Sequence, residues 1–496
     1  MGMKTVNRTS IGGIVLTMLA IALVFSLLST DDALAYDKRV LVEDFTNTRC
    51  GPCYNWAPHF EAVIDEFDEE DLSIIAMHVN WPGADDPWYQ NNPEDCRARW
   101  SRYGIHGVPS FWVDGSEVSM AGIQTWEDGE GRIRDAIQEA LDWETPLDLN
   151  VAVGIFEDIF MINVQITSEE ELENLRLQVA MLEIFNNYTP GGNYPPGHHN
   201  AMLDLVPDNN GTIFSIGENE TVSITVETDR DIGWHEMDPD EFSCVAWVEA
   251  GGNWVRQSEK VLLGEGPFVR MMEIEFSDEE GGNGDGRPEA GETVNATMSL
   301  ENAPFNEDAE SVEVTLSCDD EGIEIVEPAF TVENLGNGEE ADNADNPLQF
   351  RVADDFETHP VTFTVTVVSE PGGMESSYHI TTMINWPDIL LIDVTEYAPA
   401  AATLTELFGT ENLPWVDTFN LGEEDVIPDG LLGHYNSVIW HSFNNQETMY
   451  FEFEENTLAD YLDNGGNLII SSPYTCTDFG DSEFFRNYLG ARVNEA

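Results

Sequence analysis

The run Cys50-Gly51-Pro52-Cys53 constrains this chain more than any other feature, because of what surrounds it. Arg39 to Phe45 reads as a buried strand, Thr46 to Arg49 as a turn, and Cys50 to Phe67 carries helical spacing of apolar residues. A CxxC that opens a helix sets its first sulfur against unpaired backbone N–H groups and the positive end of the helix dipole, which favours a thiolate. In that geometry Cys50 attacks a disulfide and Cys53, one turn in, resolves the mixed disulfide. Half of a zinc site, or two ordinary cysteines, would give the same four residues. No second CxxC or CxxH lies nearby at zinc spacing, which favours the redox reading.

Further along, Leu72 to Trp81 reads as a second apolar strand. A Pro/Gly/Asp-rich loop follows, then a polar helix around Glu94 to Tyr103, Pro109, the strand Ser110 to Asp114 and a helix over Thr125 to Asp142. Glu144-Thr145-Pro146 stops that helix. Asp44 stands six residues before Cys50, Ala57-Pro58 follows Cys53 at a helix-kink spacing, and Val108-Pro109 precedes a strand. At these points, and in its β-α-β-α-β-β-α order, the sequence resembles thioredoxins. More narrowly, Glu43-Asp44-Phe45-Thr46, the segment Trp81-Pro82-Gly83 through Asp86-Pro87-Trp88-Tyr89, and Tyr103 through Pro109 resemble thioredoxin-like proteins of the bacterial outer membrane and cell surface. Cys244 to Glu249 and Val255 to Ser258 look like that family's closing strand pair, so the resemblance reaches from Tyr36 to Leu263.

The resemblance implies roles. Cys50 would be the nucleophile and Cys53 the resolving thiol. Asp44 would be a buried carboxylate with a raised pKa that accepts the resolving thiol's proton, and a strand-end surface acid is the alternative. Pro109 would be a cis-proline facing the dithiol, with the backbone of Val108 free to pair with an extended substrate. Gly51 and Pro52 would complete the substrate-facing loop. Arg49 stands where thioredoxins carry tryptophan, so docking would differ and a cation beside Cys50 would lower its pKa further.

The expected fold class is multidomain, α/β plus all-β. Residues 1–35 read as a signal peptide, with Lys4 and Arg8, an apolar run from Ile11 to Leu28, and Ala33-Leu34-Ala35 as cleavage site. An uncleaved anchor is the alternative. Residues 36–145 would form the thioredoxin fold. Residues 146–266 read as a β-sandwich and 267–386 as an immunoglobulin-like sandwich. Residues 387–496 alternate strand and helix as a Rossmann-like α/β domain. Through Tyr435 to Trp440 and Tyr461 to Gly466 they resemble glutamine-amidotransferase-like domains, and they are expected to be truncated. No nucleophile elbow is visible there, and Cys476 lacks the glycine-flanked turn that would present it.

The formal charge of −76 disfavours nucleic acid and anionic lipid as partners. With three lysines, Lys4, Lys38 and Lys260, against sixteen arginines, such a surface repels itself unless salt screens it, which suggests a saline habitat or merely high solubility. Cys96, on the expected polar helix, reads as a buried or incidental cysteine, with a third redox or pairing thiol as the alternative, and Cys244 and Cys318 read as unreactive. His198-His199 offers a weak metal candidate in a Pro/Gly-rich loop. Asn283, Asp285, Glu289 and Glu292 offer a weak calcium candidate without the full loop pattern, and no other cofactor is expected.

Two functions stand side by side. One is an exported thiol-disulfide oxidoreductase in the periplasm, at the outer membrane or secreted, acting on extracytoplasmic protein thiols and disulfides with an unknown redox partner and no membrane span after signal cleavage. The other is a surface binding or scaffold protein in which Cys50–Cys53 is a static disulfide.

Overall fold

In the computed structural model of the chain the described residues are 36–189, 197–233, 235–393, 414–421, 426–441, 451–471 and 482–489. The expected signal peptide, the helix expected over Ala401 to Phe408, and Cys476 lie outside them. The protein is multidomain and mostly β-sheet, with few helices.

Strand β1 (Val40–Thr46) lies in the middle of the first sheet, between parallel β2 (Leu72–His78) and antiparallel β3 (Ser110–Val113), with β4 (Ser116–Val118) at the edge. Helix α1 (Gly51–Ile64) follows β1, α2 (Pro87–Asn91) and α3 (Pro93–Tyr103) follow β2, and α4 (Trp126–Leu141) follows β4. Because strand side chains alternate, β1 feeds two cores. Val40 and Val42 pack with Trp56 and Val63 of α1 and Ile133 and Ile137 of α4. Leu41 and Phe45 pack with Trp100 and Tyr103 of α3. A strand buried on both faces reads as a continuous apolar run, which is why β1 was visible in the sequence.

The Pro/Gly/Asp-rich loop contains a helix that its composition concealed. Asp86 caps α2, its Oδ1 accepting from the Tyr89 N–H at 3.1 Å, and Pro87 occupies the first turn. Asn92 caps α3 in the same way at Asp95 N, 3.1 Å away.

The expected boundary at residue 146 divides the chain order but not the sheet. Strand β5 (Leu147–Phe156) pairs with β6 (Ile159–Ser168), which pairs with β10 (Glu220–Asp229) as a three-stranded sheet. Strands β7 (Leu172–Asn186), β8 (His198–Val206), β9 (Thr212–Ile216), β11 (Phe242–Ala250) and β12 (Trp254–Leu262) instead join the first sheet through a single β2–β8 pair, Ala76 with Ala201. Nine strands thus form one sheet. The three-stranded sheet covers one face of its second half over a core that includes Val153, Ile162, Leu177 and Ala246. The three-stranded sheet thus packs on a sheet that also contains the first strands of the chain.

Side chains hold the seam. Arg99 of α3 is 2 % exposed and spans it, with Nε 2.7 Å from Glu43 Oε1 on β1 and Nη1 2.9 Å from Glu249 Oε1 on β11. Trp88 Nε1 donates to Glu183 on β7 at 2.6 Å, and Asp95 accepts from the Leu205 N–H on β8 at 3.0 Å. At the far edge, Gly115 (φ +77°) turns the β3–β4 hairpin so close to the β11–β12 turn that a Cβ there would lie 1.7 Å from the Asn253 carbonyl oxygen.

Beyond residue 266, two antiparallel sheets enclose a second all-β core, with strands Thr293–Asn302, Ala309–Cys318 and His359–Glu370 among them. The calcium candidates sit in its first loop with their oxygens already engaged. Glu292 accepts from the N–H groups of Asn283 and Glu289, both at 2.9 Å, and Asn283 Nδ2 donates to Glu289. Asp285 accepts from the Arg287 N–H at 3.1 Å and from Trp386 Nε1 at 3.1 Å. The centre of the loop is Asp278, a residue outside the expected set, which takes the N–H groups of Gly284, Asp285 and Gly286. Among the described residues no group of three His, Cys, Asp or Glu converges as a metal site.

The last strands, Ile389–Asp393, Val416–Asn420, Ser437–His441 and Asn467–Ser471, pair in parallel, with helix Phe451–Asp463 following the third of them in the chain. No described helix is long and apolar enough to cross a membrane.

The disulfide site and its buried acid and histidine

Cys50 is the N-cap of α1, and its Sγ accepts from the Cys53 N–H at 3.1 Å, so the first turn that the CxxC pattern predicts is formed. Gly51 and Pro52 fill the first helical positions, and Pro58 lies inside the helix. The two cysteines are joined as a disulfide. Val108, preceding Pro109 through a cis peptide, brings its carbonyl oxygen to 3.7 Å from Cys50 Sγ. The pair is sheltered, with Cys50 3 % and Cys53 7 % exposed.

Both cysteines line a cavity of about 410 Å³ between α1, the C-terminal ends of β1 and β2, and the start of β8. Alternation along β1 turns Asp44 towards the α1 face, the side opposite Leu41, Glu43 and Phe45, and Asp44 lines this cavity too. Its Oδ1 is enclosed and has no hydrogen-bond partner. Burial pushes the carboxyl up to about 7, while nearby His78 pulls it the other way.

Sequence reasoning missed His78 and Asp86. His78 ends β2 opposite Thr46, one pleat from the Ala76 that pairs with Asp44. It is 1 % exposed, and its Nδ1 lies 2.8 Å from Asp86 Oδ2, which also accepts from the Thr48 N–H at 2.8 Å. Burial alone would raise the Asp86 carboxyl. The His78 ring and the N–H groups of Thr48 and Tyr89 instead hold it below the usual carboxylate range. An ionised Asp86 only accepts, so Nδ1 of His78 donates to it and Nε2 is left outside the pair. That Nε2 is buried without a partner, as is the Thr48 hydroxyl, and both residues line the cavity. An Asp-Pro helix start was a legible signal for Asp86, but its pairing with His78 depends on where the loop folds back.

Arg49 forms a two-pronged pair with Asp85 at the surface, so its charge is shared with that carboxylate and not reserved for Cys50. His198 and His199 lie on strand β8, not in a loop, and the pair splits. His198 lies tilted against Trp88 (4.6 Å between ring centres), and His199 lies against Phe185 (4.8 Å). Burial, aided by His78, lowers His198 to about 3 and keeps it neutral.

The chain matches no family model and no curated protein. Among solved structures it is similar to HBP35 of Porphyromonas gingivalis, at 14 % identity and a TM-score of 0.38, over 70 % of this chain and 99 % of that one. A protein of Agrobacterium tumefaciens is similar at 16 % identity and a TM-score of 0.30, over 46 % of this chain and 96 % of that one. The native alpha-2-macroglobulin of E. coli follows at 11 % and 0.19, over 49 % of this chain and 17 % of that one. At this level the likeness fixes neither fold nor function.

Proposed function

We propose that the chain is an exported thiol-disulfide oxidoreductase whose residues 36–145 form a thioredoxin-like domain and act on extracytoplasmic protein disulfides through Cys50 and Cys53. The observation that carries this reading is the placement of Asp44. A carboxyl group raised to about 7 shares one cavity with both sulfurs. A carboxyl titrating near neutrality can take a proton from the resolving thiol and return it. Cys50 supplies the nucleophile, its thiolate favoured by the N–H groups at the start of α1. The Val108 carbonyl beside Cys50 offers a main-chain acceptor to an extended substrate. The accessory β domains and the terminal α/β domain serve docking or assembly at the cell surface.

A second reading rests on the exposure of the pair. At 3 % exposure Cys50 suits a static disulfide in a surface scaffold. The two are separated by the reduction potential and by disulfide-reductase turnover in the purified chain and in Cys50→Ser. A reversible couple between roughly −270 and −120 mV, with turnover lost in Cys50→Ser, supports the oxidoreductase. A couple below about −300 mV without turnover makes the pair structural.

A further inference from the structure

We propose that His78, held by Asp86, is a positioning residue for the proton of the dithiol reaction, receiving at Nε2 the proton that Asp44 takes from Cys53. The inference rests on the oxidoreductase reading.

Three polar atoms in the cavity wall, Asp44 Oδ1, Thr48 Oγ1 and His78 Nε2, have no partner within the chain, although each is enclosed. Buried polar atoms left unpaired are costly, so three in one wall beside a disulfide call for a function. The groups facing His78 are Asp86 before α2, Asp44 on β1 and His198 on β8, while Glu61 and Asp65 line the cavity from the α1 side. Cys96 on α3 lies near enough to Asp86 to feel its charge, and burial holds its thiol protonated. His198 stays neutral and offers no competing charge. Asp86 can stabilise an imidazolium at His78 as the carboxylate of a catalytic triad does.

The step begins from the mixed disulfide between Cys50 and a substrate sulfur. The Cys53 thiol gives its proton to Asp44, and a proton passes across the cavity to His78 Nε2. The Cys53 sulfur then attacks Cys50 Sγ, the bond from Cys50 to the substrate breaks, and the substrate leaves as a thiolate. That thiolate takes up one proton, which His78 can return. The Cys50/Cys53 pair loses two electrons and the substrate disulfide has gained them.

The test uses the full chain and three variants. His78→Asn keeps a donor to Asp86 but has no titrating nitrogen, His78→Ala leaves room for added imidazole, and Cys53→Ser traps the mixed disulfide. Carbon-13 and nitrogen-15 NMR follow Asp44 and His78 through their titrations. The expected result is one coupled titration in the wild type, and an Asp44 midpoint moved upward in His78→Asn. In single-turnover release, His78→Asn slows resolution roughly 10-fold between about pH 6 and 8, less than the 10²–10⁴ of a group acting directly, and imidazole restores His78→Ala. Independent titration of the two groups, or unchanged release with native melting, overturns the proposal. Failure of Cys53→Ser to trap substrate sinks the oxidoreductase reading instead, and the coupled titration still decides whether Asp44 and His78 share a proton.

Discussion

Glu43 and Asp44 are adjacent in the chain and present their carboxyl groups to opposite faces of one strand, with opposite fates. Glu43, fully buried, accepts from Arg99 Nε at 2.7 Å, from Arg99 Nη2 at 3.0 Å and from the Tyr103 hydroxyl at 2.5 Å. Asp44 keeps an enclosed oxygen with no partner. The first acid is part of the seam between α3, β1 and β11, and the second lines the cavity that Cys50 and Cys53 share.

The acid on the cavity side makes stability depend on pH. The folded carboxyl titrates at about 7, above its unfolded value near 4, so the native state binds more protons between those limits and stability falls as pH rises through them. At about 1.4 kcal/mol per pH unit, Asp44 costs the native state on the order of 4 kcal/mol by pH 8. Denaturant unfolding of the wild type and Asp44→Asn at several pH values checks this. The variant should lack the decline and be the more stable protein above pH 7, and parallel profiles would refute it.

The seam makes the opposite kind of prediction. Arg99→Met leaves Glu43 and Glu249 buried without their shared cation, and breaking a buried pair costs roughly 3–5 kcal/mol. Urea midpoints should fall accordingly. The Cys50/Cys53 potential should stay in place in the fraction that remains folded, because Arg99 lies on the face of β1 away from the cavity.

Reactivity of the remaining thiols can be read by alkylation and mass spectrometry. Burial pushes the thiols of Cys96 and Cys244 up, and both are enclosed, so neither should react in the native chain. Cys318, only partly buried, should label before these two. Rapid native labelling of Cys96 would show that α3 opens away from the sheet.

Salt should stabilise the protein. A formal charge of −76 repels itself over a Debye length that shrinks from about 10 Å at 0.1 M to about 3 Å at 1 M. Tm should climb across that range, and a flat or falling curve would mean that the charge serves solubility alone.

The alternation and caps that made elements legible are local properties. The apolar run of β1, the strand-turn-helix setting of Cys50 and Cys53, the alternating strand His359–Glu370 and the parallel pattern around Ile389–Asp393 could all be read because each is written within a few residues. Helix α2 was missed because Asp, Pro and Gly signal a loop and a helix start alike; in the fold Asp86 caps it and its Trp88 donates to Glu183 on β7.

What the sequence determined by itself is therefore the strand and helix order around the cysteines apart from α2, the placing of a cysteine pair at a helix start, and an acid six residues before it. Tertiary structure alone decided that the sheet runs across residue 146, because one backbone pair, Ala76 with Ala201, suffices to join two strands whose neighbours are already formed. It also decided that His78 meets Asp86 and that Asp44 shares a cavity with His78. Those relations depend on chain segments that fold towards one another across β1, β2 and β8, and a contact between distant residues leaves no periodicity in a sequence for a reader to find.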